Sequence, residues 1–562
     1  MRINKIIFLY IYSIFIINKN YSQSIPDSTI KKINNLFSLW NSENSPGCSI
    51  GIVRNDSLIY SAGYGMANLE HAIPNTSKTI YHIASVSKQF TAYSIVLLAR
   101  QGKLNIDDDI RKYLTWFPDM KEKITIRNLL THTSGIRDQW YLLTISGTKV
   151  DDIITQEQII KILSNQQDLN FKPNDQALYS NSGYTLLAEI IKNVSGKSLK
   201  QFADSAIFKP LNMQQTRYND DYCEIVKNRS NSYSRKDSIR FSNVILNCSN
   251  VGPSGILTNI TDMGKWISNF YTTKVGDKND IELLTNSKTK LNNGEQLDYA
   301  FGIQNGNYKG LHTFSHTGGD AGFRTKVTIF PDIKMGFIVL SNLDDFPVDE
   351  KLDAMADLFI KGEEPKKIKP KKPMLDSSKT TLKYTDVLTK YMGNYIDEDG
   401  GEMSFSINHK KMYFHYYGST NLLKLVKDTA YVLSNPNTKF HFSTTGKKDT
   451  LVNLYWPSEH KVFSKFNDVK DYSDEQLLEY VGTYYSPELN CKYKIAIKSH
   501  SLVMMSDKYD DSKIMLKGTE HLFNESYWWM NHLKVLRDDK DKINGFEVNS
   551  DRVIHLKFIK IE

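Results

Sequence analysis

The chain has 562 residues, of which 40% are hydrophobic, 24% charged and 12% aromatic, and its formal net charge is +8 at pH 7. A chain of this length is expected to fold as two to four domains, and its composition excludes a disordered, collagenous or multi-span membrane protein. The positive charge is small for the size and forms no dense basic stripe, so nucleic acid is not an expected partner. The 32 tyrosines are unusually many, and they need a structural explanation.

The N-terminus has the three zones of an export signal. Arg2 and Lys5 precede an apolar run over residues 6–17, and small residues follow at Ser22 and Ser24. The run is shorter than the ~20 residues that cross a bilayer, so we expect residues 1–22 to be a signal peptide. An uncleaved anchor is the alternative interpretation. We therefore expect an exported protein, periplasmic or extracellular, without a stable membrane anchor.

The cysteines do not indicate a metal site. Cys48, Cys223, Cys248 and Cys491 lie far apart and form no Cys-x-x-Cys pair, so we expect neither zinc nor another metal or cofactor. Cys223 and Cys248 are a candidate disulfide pair that the sequence alone does not decide. Cys48 lies in an apolar stretch and is expected to be a small buried residue.

The chain divides at a stretch rich in lysine and proline, residues 361–380, which is typical of a solvated linker. Before it, residues 23–360 alternate helical and strand-like patterns, which predicts an α/β or α+β unit of catalytic size. The expected helices include residues 90–98, 184–194 and 263–270, and the expected strands include 49–53, 326–330 and 336–340. After the linker, short alternating aromatic segments predict two all-β units, residues 381–468 and 469–562.

These two β units are related by an internal repeat. Leu388, Tyr391, Gly393 and Tyr395 recur at the same spacing as Leu477, Tyr480, Gly482 and Tyr484, and each copy closes on Phe-x-Lys, at Phe463 and Lys465 and at Phe558 and Lys560. Each unit is long enough for six to eight short strands, which predicts two small antiparallel barrels. We expect the surplus tyrosines to fill β cores, and a ligand-stacking surface is the alternative.

One Ser-x-x-Lys motif differs from the others in the chain by its context. Ser85 and Lys88 open a long apolar helical run that ends near Gly102, a residue placed as a C-terminal cap. Positions three apart share a helix face, so Lys88 is expected beside the Ser85 hydroxyl. A serine needs a base to act as a nucleophile, and a desolvated lysine can serve as one. A helix cap followed by an exposed lysine is the alternative interpretation.

Two further motifs follow in chain order. Tyr179 and Asn181 lie at i and i+2, which would put both on one side of an extended turn; a tyrosine of lowered pKa can shuttle protons, and asparagine can bind a substrate amide. His316 begins a His-Thr-Gly-Gly sequence ahead of a strand-like run. Gly318 and Gly319 there leave room for a substrate backbone, and the Gly319 N–H is a candidate oxyanion donor.

These motifs, in this order, resemble those of the serine β-lactamase and penicillin-binding-protein superfamily, whose set includes Ser-x-x-Lys and Lys-Thr-Gly. The likeness is greater to the class C β-lactamase-like branch, the S12 peptidase group, which has Tyr-x-Asn in the middle and contains D-aminopeptidases and esterases. Residues 124–135, 179–187 and 210–213 are also similar, and the likeness covers about residues 35–350. It implies a mainly antiparallel sheet flanked by helices. The C-terminal β units resemble the paired barrels that can narrow the active-site mouth in D-aminopeptidase-like relatives.

The resemblance also implies a role for each motif residue. Ser85 would be the acylated nucleophile, and Lys88 and Tyr179 would share the acid and base steps. Asn181 would orient the substrate amide, and the backbone N–H groups of Ser85 and Gly319 would form the oxyanion hole.

One residue departs from the family pattern. His316 stands where β-lactamases and D-Ala-D-Ala carboxypeptidases have lysine, and a mostly neutral imidazole binds a substrate carboxylate less well than a fixed cation. This favours an aminopeptidase-like or esterase-like member. Arg324 is a candidate replacement cation, although a surface arginine is the expected interpretation, and His132 is expected to be structural.

We therefore expect an exported serine hydrolase that acts through an acyl-enzyme on a small peptide or ester, with a D-amino-acid-containing or peptidoglycan-related compound as its substrate. A β-lactamase or penicillin-binding D-Ala-D-Ala carboxypeptidase is one alternative. A cell-wall binding or sensor protein with a vestigial hydrolase domain is another. The sequence does not indicate the oligomeric state.

Overall fold

The computed structural model describes residues 25–149, 151–286, 288–361, 390–398, 400–408, 411–416, 419–426, 429–432, 438–444, 450–455, 460–466 and 472–562. The predicted signal peptide (1–22), and all but the first residue of the predicted linker (361–380), lie outside these ranges. Among the described residues, no helix combines the length and apolar character needed to cross a membrane.

The α-helices of the described residues are α1 (Asp27–Leu36), α2 (Lys88–Arg100), α3 (Ile126–Leu130), α4 (Gln139–Ile145), α5 (Gln156–Ser164), α6 (Asn181–Ser195), α7 (Leu199–Ala203), α8 (Ile260–Thr272), α9 (Lys278–Thr285), α10 (Val348–Asp357) and α11 (Asp474–Leu477). The strands before the linker are β1 (Cys48–Arg54), β2 (Ser57–Tyr64), β3 (Met66–Asn68), β4 (Ile73–Pro74), β5 (Tyr81–His82), β6 (Arg217–Tyr218), β7 (Tyr233–Arg235), β8 (Phe241–Asn243), β9 (Ile256–Thr258), β10 (Gln304–Tyr308), β11 (Leu311–Asp320), β12 (Phe323–Phe330) and β13 (Met335–Ser341).

A six-stranded antiparallel sheet organises this unit, in the order β10-β11-β12-β13-β1-β2. Helix α8 packs against β1, β2 and β13, while α10 packs against β12 and β13 and also contacts α1. The sheet is therefore covered on both faces, which explains why β1 and β13 are buried almost along their whole length and do not alternate between buried and exposed residues. The three helices and three strands predicted above lie within α2, α6, α8, β1, β12 and β13, so those predictions are confirmed.

Helix α2 lies at the centre of the helical half. Its residues from Lys88 to Leu98 are all buried, and it packs against α6, α7 and α9. A helix that is buried on every side and mostly apolar is typical of the core of a large unit. Its last turn is followed by Gly102, which has a φ of +68° and donates its N–H to Ala99 O at 2.9 Å, as a C-terminal glycine does. The buried position of α2 makes Lys88 an interior amine.

The C-terminal part forms two closed antiparallel barrels of eight strands each. The first consists of β14 (Gly393–Asp397), β15 (Glu402–Asn408), β16 (Lys411–Tyr416), β17 (Ser419–Val426), β18 (Thr429–Val432), β19 (Lys439–Thr444), β20 (Thr450–Tyr455) and β21 (His460–Phe466). The second consists of β22 (Gly482–Ser486), β23 (Cys491–Lys498), β24 (Ser501–Met505), β25 (Ser512–Lys517), β26 (His521–Asn524), β27 (His532–Arg537), β28 (Ile543–Ser550) and β29 (Val553–Lys560). The predicted barrel architecture is confirmed.

The sequence repeat is a structural device that closes each barrel. In the first barrel the buried Tyr395 donates its hydroxyl to Tyr391 O at 3.0 Å, and Lys465 Nζ donates to Lys390 O at 2.9 Å. The second barrel repeats both contacts, from Tyr484 Oη to Tyr480 O at 2.7 Å and from Lys560 Nζ to Glu479 O at 2.8 Å. The tyrosine and lysine of each copy thus satisfy carbonyl groups just before the first strand, where no ladder partner exists. These repeat tyrosines fill β cores, as predicted.

All four cysteines are free thiols. Cys48 is buried, as predicted, while Cys223 is exposed and Cys248 is partly buried. The candidate Cys223–Cys248 disulfide is therefore absent from the structure.

Candidate active site

The predicted nucleophile lies in a tight turn at the start of α2. Ser85 belongs to a 3₁₀ turn, Ala84–Ser87, that leads directly into the helix at Lys88. Lys88 Nζ lies 3.2 Å from Ser85 Oγ, 2.9 Å from Asn181 Oδ1 and 2.8 Å from Pro253 O. The alternative interpretation, an exposed lysine after a helix cap, is thereby excluded. The Lys88 amine contacts the two predicted residues Ser85 and Asn181, and also the backbone oxygen of Pro253, which no motif indicated.

The surroundings of Lys88 favour its neutral form. The side chain is fully buried, and desolvation lowers its pKa well below the usual lysine value, although Asp138 acts in the opposite direction. A neutral amine has two N–H groups and one lone pair. The two N–H groups are taken by Asn181 Oδ1 and Pro253 O, so the lone pair is left to face the Ser85 hydroxyl. This arrangement is that of a base beside a nucleophile.

Tyr179 covers the other side of this amine. Lys88 Nζ lies 4.7 Å from the centre of the Tyr179 ring, and Tyr179 is half-buried at the wall of the cleft. Burial raises the pKa of Tyr179, and the hydrogen bond with Ser85 and the charge of Arg552 offset this only in part. The shift is opposite to the lowered pKa that would let a tyrosine act as a base, because desolvation outweighs the nearby cation. The phenol stays protonated and can donate a proton rather than act as the primary base.

His132 supports Tyr179 from behind. Its ring lies 4.3 Å from the Tyr179 ring, and its Nδ1 accepts the N–H of Ser180 at 3.2 Å. Burial and the nearby Lys88 lower the pKa of His132 well below its usual value, so the imidazole is neutral. These contacts agree with the expected structural role.

The orientation of Asn181 is set by an aspartate that the motifs did not reveal. Asn181 is the first residue of α6 rather than part of a turn, and Asp138 Oδ2 accepts both its backbone N–H at 2.7 Å and its Nδ2 at 2.8 Å. The amide oxygen is therefore directed at Lys88. Asp138 also caps α4 by accepting the N–H of Trp140 at 3.0 Å. The sequence shows the helix cap, but it does not show that Asp138 contacts Asn181, which lies 43 positions away.

The third motif lies inside the main sheet, on the strand that directly precedes the predicted strand-like run. Residues 316–319 belong to β11, where Gly318 pairs with Thr325 on β12. A Cβ on Gly318 would lie 2.5 Å from Ile83 O and 3.1 Å from Ala84 Cβ. Gly318 therefore leaves room for the Ser85 turn, and not for a substrate as predicted. Gly319 lines the open cleft, so its proposed contact with substrate is sterically possible.

His316 provides no cation at the third motif. It is buried, and desolvation is the main cause that lowers its pKa to about 4. Its Nδ1 lies 2.5 Å from Thr317 O and its Nε2 lies 2.9 Å from Tyr299 Oη, a network that assigns the proton to Nδ1 and the lone pair to Nε2. Arg324 lies opposite Gly319 on the β11–β12 ladder, and its Nη1 donates to the backbone oxygens of Ala321 and Phe323. It is not among the described residues that line the cleft.

A second polar cluster adjoins the third motif. Ser254 Oγ and Asp320 Oδ2 both contact His82 Nε2, at 2.9 and 3.0 Å, and they lie 3.2 Å from each other. The contacts with His82 and Ser254 hold the pKa of Asp320 below its usual value despite burial. A serine–histidine–aspartate relay needs the two partners on different ring nitrogens, so this cluster is not such a relay. It places a carboxylate beside Gly319.

The motif residues surround a cleft of about 560 Å³. Ser85, Tyr179, Asn181, His316 and Gly319 all line it. The second barrel contributes Trp528 and Arg552 to its wall. Five of the seven predicted site residues thus line one cavity, while Lys88 and Gly318 lie behind it against Ser85 and its turn. The barrel residues are additions that no motif indicated.

The second barrel is fixed to the hydrolase unit through a buried arginine. Arg137 is fully buried and pairs with Glu488 at 2.8 Å. Its guanidinium also donates to Ile554 O and His555 O, both at 3.0 Å, at the start of β29. These contacts position the turn between β28 and β29, which carries Arg552.

Replacement of Arg137 by methionine is expected to destabilise this docking by about 3–5 kcal/mol. The buried Glu488 would lose its cation and keep only the N–H of Gln167, which it accepts at 3.0 Å. Thermal unfolding and limited proteolysis between the barrel and the hydrolase unit would measure the effect. The matched control is Arg127→Met, which removes an ion pair with the largely exposed Asp107 and should cost about 1 kcal/mol or less. Equal effects of the two substitutions would contradict the assigned role of Arg137.

Replacement of Tyr179 by phenylalanine keeps the ring and removes the proton donor. We expect hydrolysis of anilide substrates to fall about 100- to 1,000-fold, and hydrolysis of nitrophenyl esters to fall less, because their leaving groups need no proton. The kcat/KM values for matched anilide and ester pairs would measure this difference. Tyr93→Phe, which removes a buried hydroxyl bonded to Val275 O, is the control and should change both substrates equally. Equal losses in Tyr179→Phe would argue against proton donation to the leaving group.

Comparison with known proteins agrees with this geometry. Residues 33–361 match the family model described as Beta-lactamase. Penicillin-binding protein 4* of Bacillus subtilis is 29% identical over 381 residues, covering 65% of this chain and 82% of that protein. The D-aminopeptidase of Brucella canis is 26% identical over 311 residues, covering 55% of this chain and 59% of that protein. The octameric penicillin-binding protein homologue from Pyrococcus abyssi has the same fold, with a TM-score of 0.53 and 24% identity over 78% of this chain and 99% of its own.

Proposed function

The chain belongs to the beta-lactamase family of serine hydrolases, and we propose that it cleaves an amide or ester bond through an acyl-enzyme formed on Ser85. The observation that carries the proposal is the contact between Ser85 Oγ and the buried Lys88 amine. That amine is held by two acceptors and is disposed to be neutral, so it can take the serine proton.

The proposed acylation step follows from these contacts. Ser85 Oγ attacks the substrate carbonyl as its proton passes to Lys88, and the backbone N–H groups of Ser85 and Gly319 stabilise the resulting oxyanion. The bond to the leaving group then breaks, and the leaving atom takes a proton from the Tyr179 hydroxyl. Protonated Lys88 then returns a proton to the Tyr179 oxygen. In deacylation, water attacks the Ser85 ester, one proton returns to Ser85 Oγ, and the acid product leaves.

The substrate we propose is a small D-amino-acid-containing peptide or ester, or a fragment of peptidoglycan, met in the periplasm or outside the cell. The names of the B. subtilis penicillin-binding protein and the B. canis D-aminopeptidase support this class. The ionised Asp320 beside Gly319 suits a substrate ammonium group. The location rests on the signal pattern of residues 1–22.

A β-lactamase or D-Ala-D-Ala carboxypeptidase is the second candidate. The neutral His316 in place of the family lysine argues against it. The observation that favours it is Arg552, a cation that the second barrel brings to the cleft wall.

The proposal is tested by a screen of D- and L-aminoacyl nitroanilides, nitrophenyl esters and a chromogenic cephalosporin, with wild type and Ser85→Ala. Turnover of D-aminoacyl substrates that is lost in the variant is the expected result. Rapid cephalosporin turnover without aminoacyl hydrolysis would instead favour the second candidate. Absence of any Ser85 acylation, including by a fluorophosphonate probe, would overturn the proposed function.

A further inference from the structure

We propose that Arg552 of the second barrel binds a carboxylate on the leaving group of the substrate, and so supplies the cation that the third motif lacks. This inference rests on the proposed function. The substrate class it specifies is a peptide or ester whose leaving group carries a carboxylate, such as a peptide with a free C-terminal carboxylate.

The backbone at Arg552 is fixed in place by the hydrolase unit. Arg552 O accepts the N–H of Asp138 at 3.2 Å and the Nδ2 of Asn170 at 3.0 Å. Asn170 Oδ1 in turn accepts the N–H of Ile554 at 2.8 Å. Because Asp138 also orients Asn181, the barrel turn and the catalytic groups share one anchoring residue. These hydrogen bonds therefore fix the backbone from which the Arg552 side chain extends to the cleft wall.

The guanidinium at the end of this side chain retains donors for a ligand. Among the residues that the structure describes, its only ion pair joins Nε to Asp551 Oδ2 at 3.6 Å, and the same Asp551 oxygen accepts the Tyr141 hydroxyl at 2.5 Å. The Arg552 side chain is about one-third exposed, and it lines the cleft. A guanidinium with free N–H groups binds a carboxylate through two parallel hydrogen bonds.

The position of Arg552 indicates which part of the substrate it meets. Its Cζ lies 4.8 Å from the centre of the Tyr179 ring, and Tyr179 is the residue proposed to protonate the leaving atom. Asp320, which directly follows Gly319, would repel a carboxylate held at the oxyanion donors. Arg324 also lies near Gly319, but it does not line the cleft, whereas Arg552 and Asp320 do. We therefore place the carboxylate on the Tyr179 side, in the leaving group.

The test compares two D-alanyl esters, one releasing 3-hydroxybenzoate and the other 3-hydroxybenzamide, so that the leaving groups differ in charge. The quantity measured is the ratio of kcat/KM for the acid to that for the amide. In Arg552→Gln we expect this ratio to fall about 10- to 100-fold relative to wild type. Arg552→Lys should give an intermediate ratio, because it keeps the charge but loses the two-pronged geometry.

Arg324→Gln is the matched control, since Arg324 is the other arginine considered for this role and its side chain is held by backbone oxygens. We expect the ratio in Arg324→Gln to equal that of wild type. An unchanged ratio in Arg552→Gln, or a fall confined to Arg324→Gln, would overturn the inference while leaving Ser85 acylation intact. Failure of both esters and of a fluorophosphonate probe to acylate wild type would instead overturn the proposed function on which the inference rests.

Discussion

Replacing Ser85 with alanine is expected to lower kcat/KM for ester and anilide substrates by about 10⁴-fold or more, because no acyl-enzyme can form. The substitution removes one oxygen from a turn whose backbone is held by β11 and α2, so the fold should be retained. Steady-state rates with the best ester of the screen would measure the loss. Far-UV circular dichroism and thermal unfolding would verify that the variant is folded.

Ser254→Ala provides a stringent control, because Ser254 is a second serine on the same cleft and contacts both a histidine and an aspartate. Ser254 and Asp320 both contact the same nitrogen of His82, Nε2, so we do not expect Ser254 to be a nucleophile. The Ser254→Ala variant should retain most of the acylation rate with activated esters. Loss of activity in Ser254→Ala but not in Ser85→Ala would reverse the assignment of the nucleophile.

Replacing Lys88 with methionine is expected to lower the rate of Ser85 acylation about 10³-fold, because the substitution removes the base. Methionine is of similar length and apolar, so it suits a fully buried position better than a charged residue does. Stopped-flow measurement of product release in the first turnover would give the acylation rate. Lys103→Met, at an exposed position after α2, is the control and should have no effect.

The rate of Ser85 acylation should change with pH in a defined direction. Protonation of Lys88 removes its lone pair, so acylation should fall at low pH and rise as pH passes through the Lys88 pKa. Burial lowers that pKa, so the plateau should be reached below the ordinary lysine pKa of about 10.4. The Lys88→Met variant should lack this rise. A wild-type profile that climbs only above the ordinary lysine pKa would show that Lys88 is charged in the free enzyme.

Local sequence pattern was sufficient to predict the nucleophile and its base. Ser85 and Lys88 are one helical turn apart, and the apolar run that follows them forces α2 into the core, which desolvates the lysine. The barrels were predictable from the repeat itself, and the tyrosine contact of each copy is local, from Tyr395 to Tyr391 and from Tyr484 to Tyr480. The lysine contacts join residues 75 and 81 positions apart, and only the structure reveals them. Patterns of this kind depend on helix and strand periodicity, which a single sequence records.

The remaining site residues depend on contacts between distant parts of the chain. Asp138 is recognisable as a helix cap, but its contact with Asn181 arises only when α4 and α6 pack together. Arg552 lies more than 400 residues after the Asp138 N–H that holds its carbonyl, and no periodicity signals such a pairing. The raised pKa of Tyr179 has the same origin, because it reflects burial by His132, Arg552 and their elements rather than any property of the Tyr-x-Asn motif.

The location of the covalent intermediate is the most direct measure of the proposed function. The enzyme would be mixed with a D-alanyl nitrophenyl ester, quenched in acid during the first turnover, digested and analysed by mass spectrometry. We predict a single added acyl group on the peptide containing Ser85, and none in Ser85→Ala. An acyl group on Ser254, or turnover without any covalent adduct, would contradict the proposed acyl-enzyme mechanism.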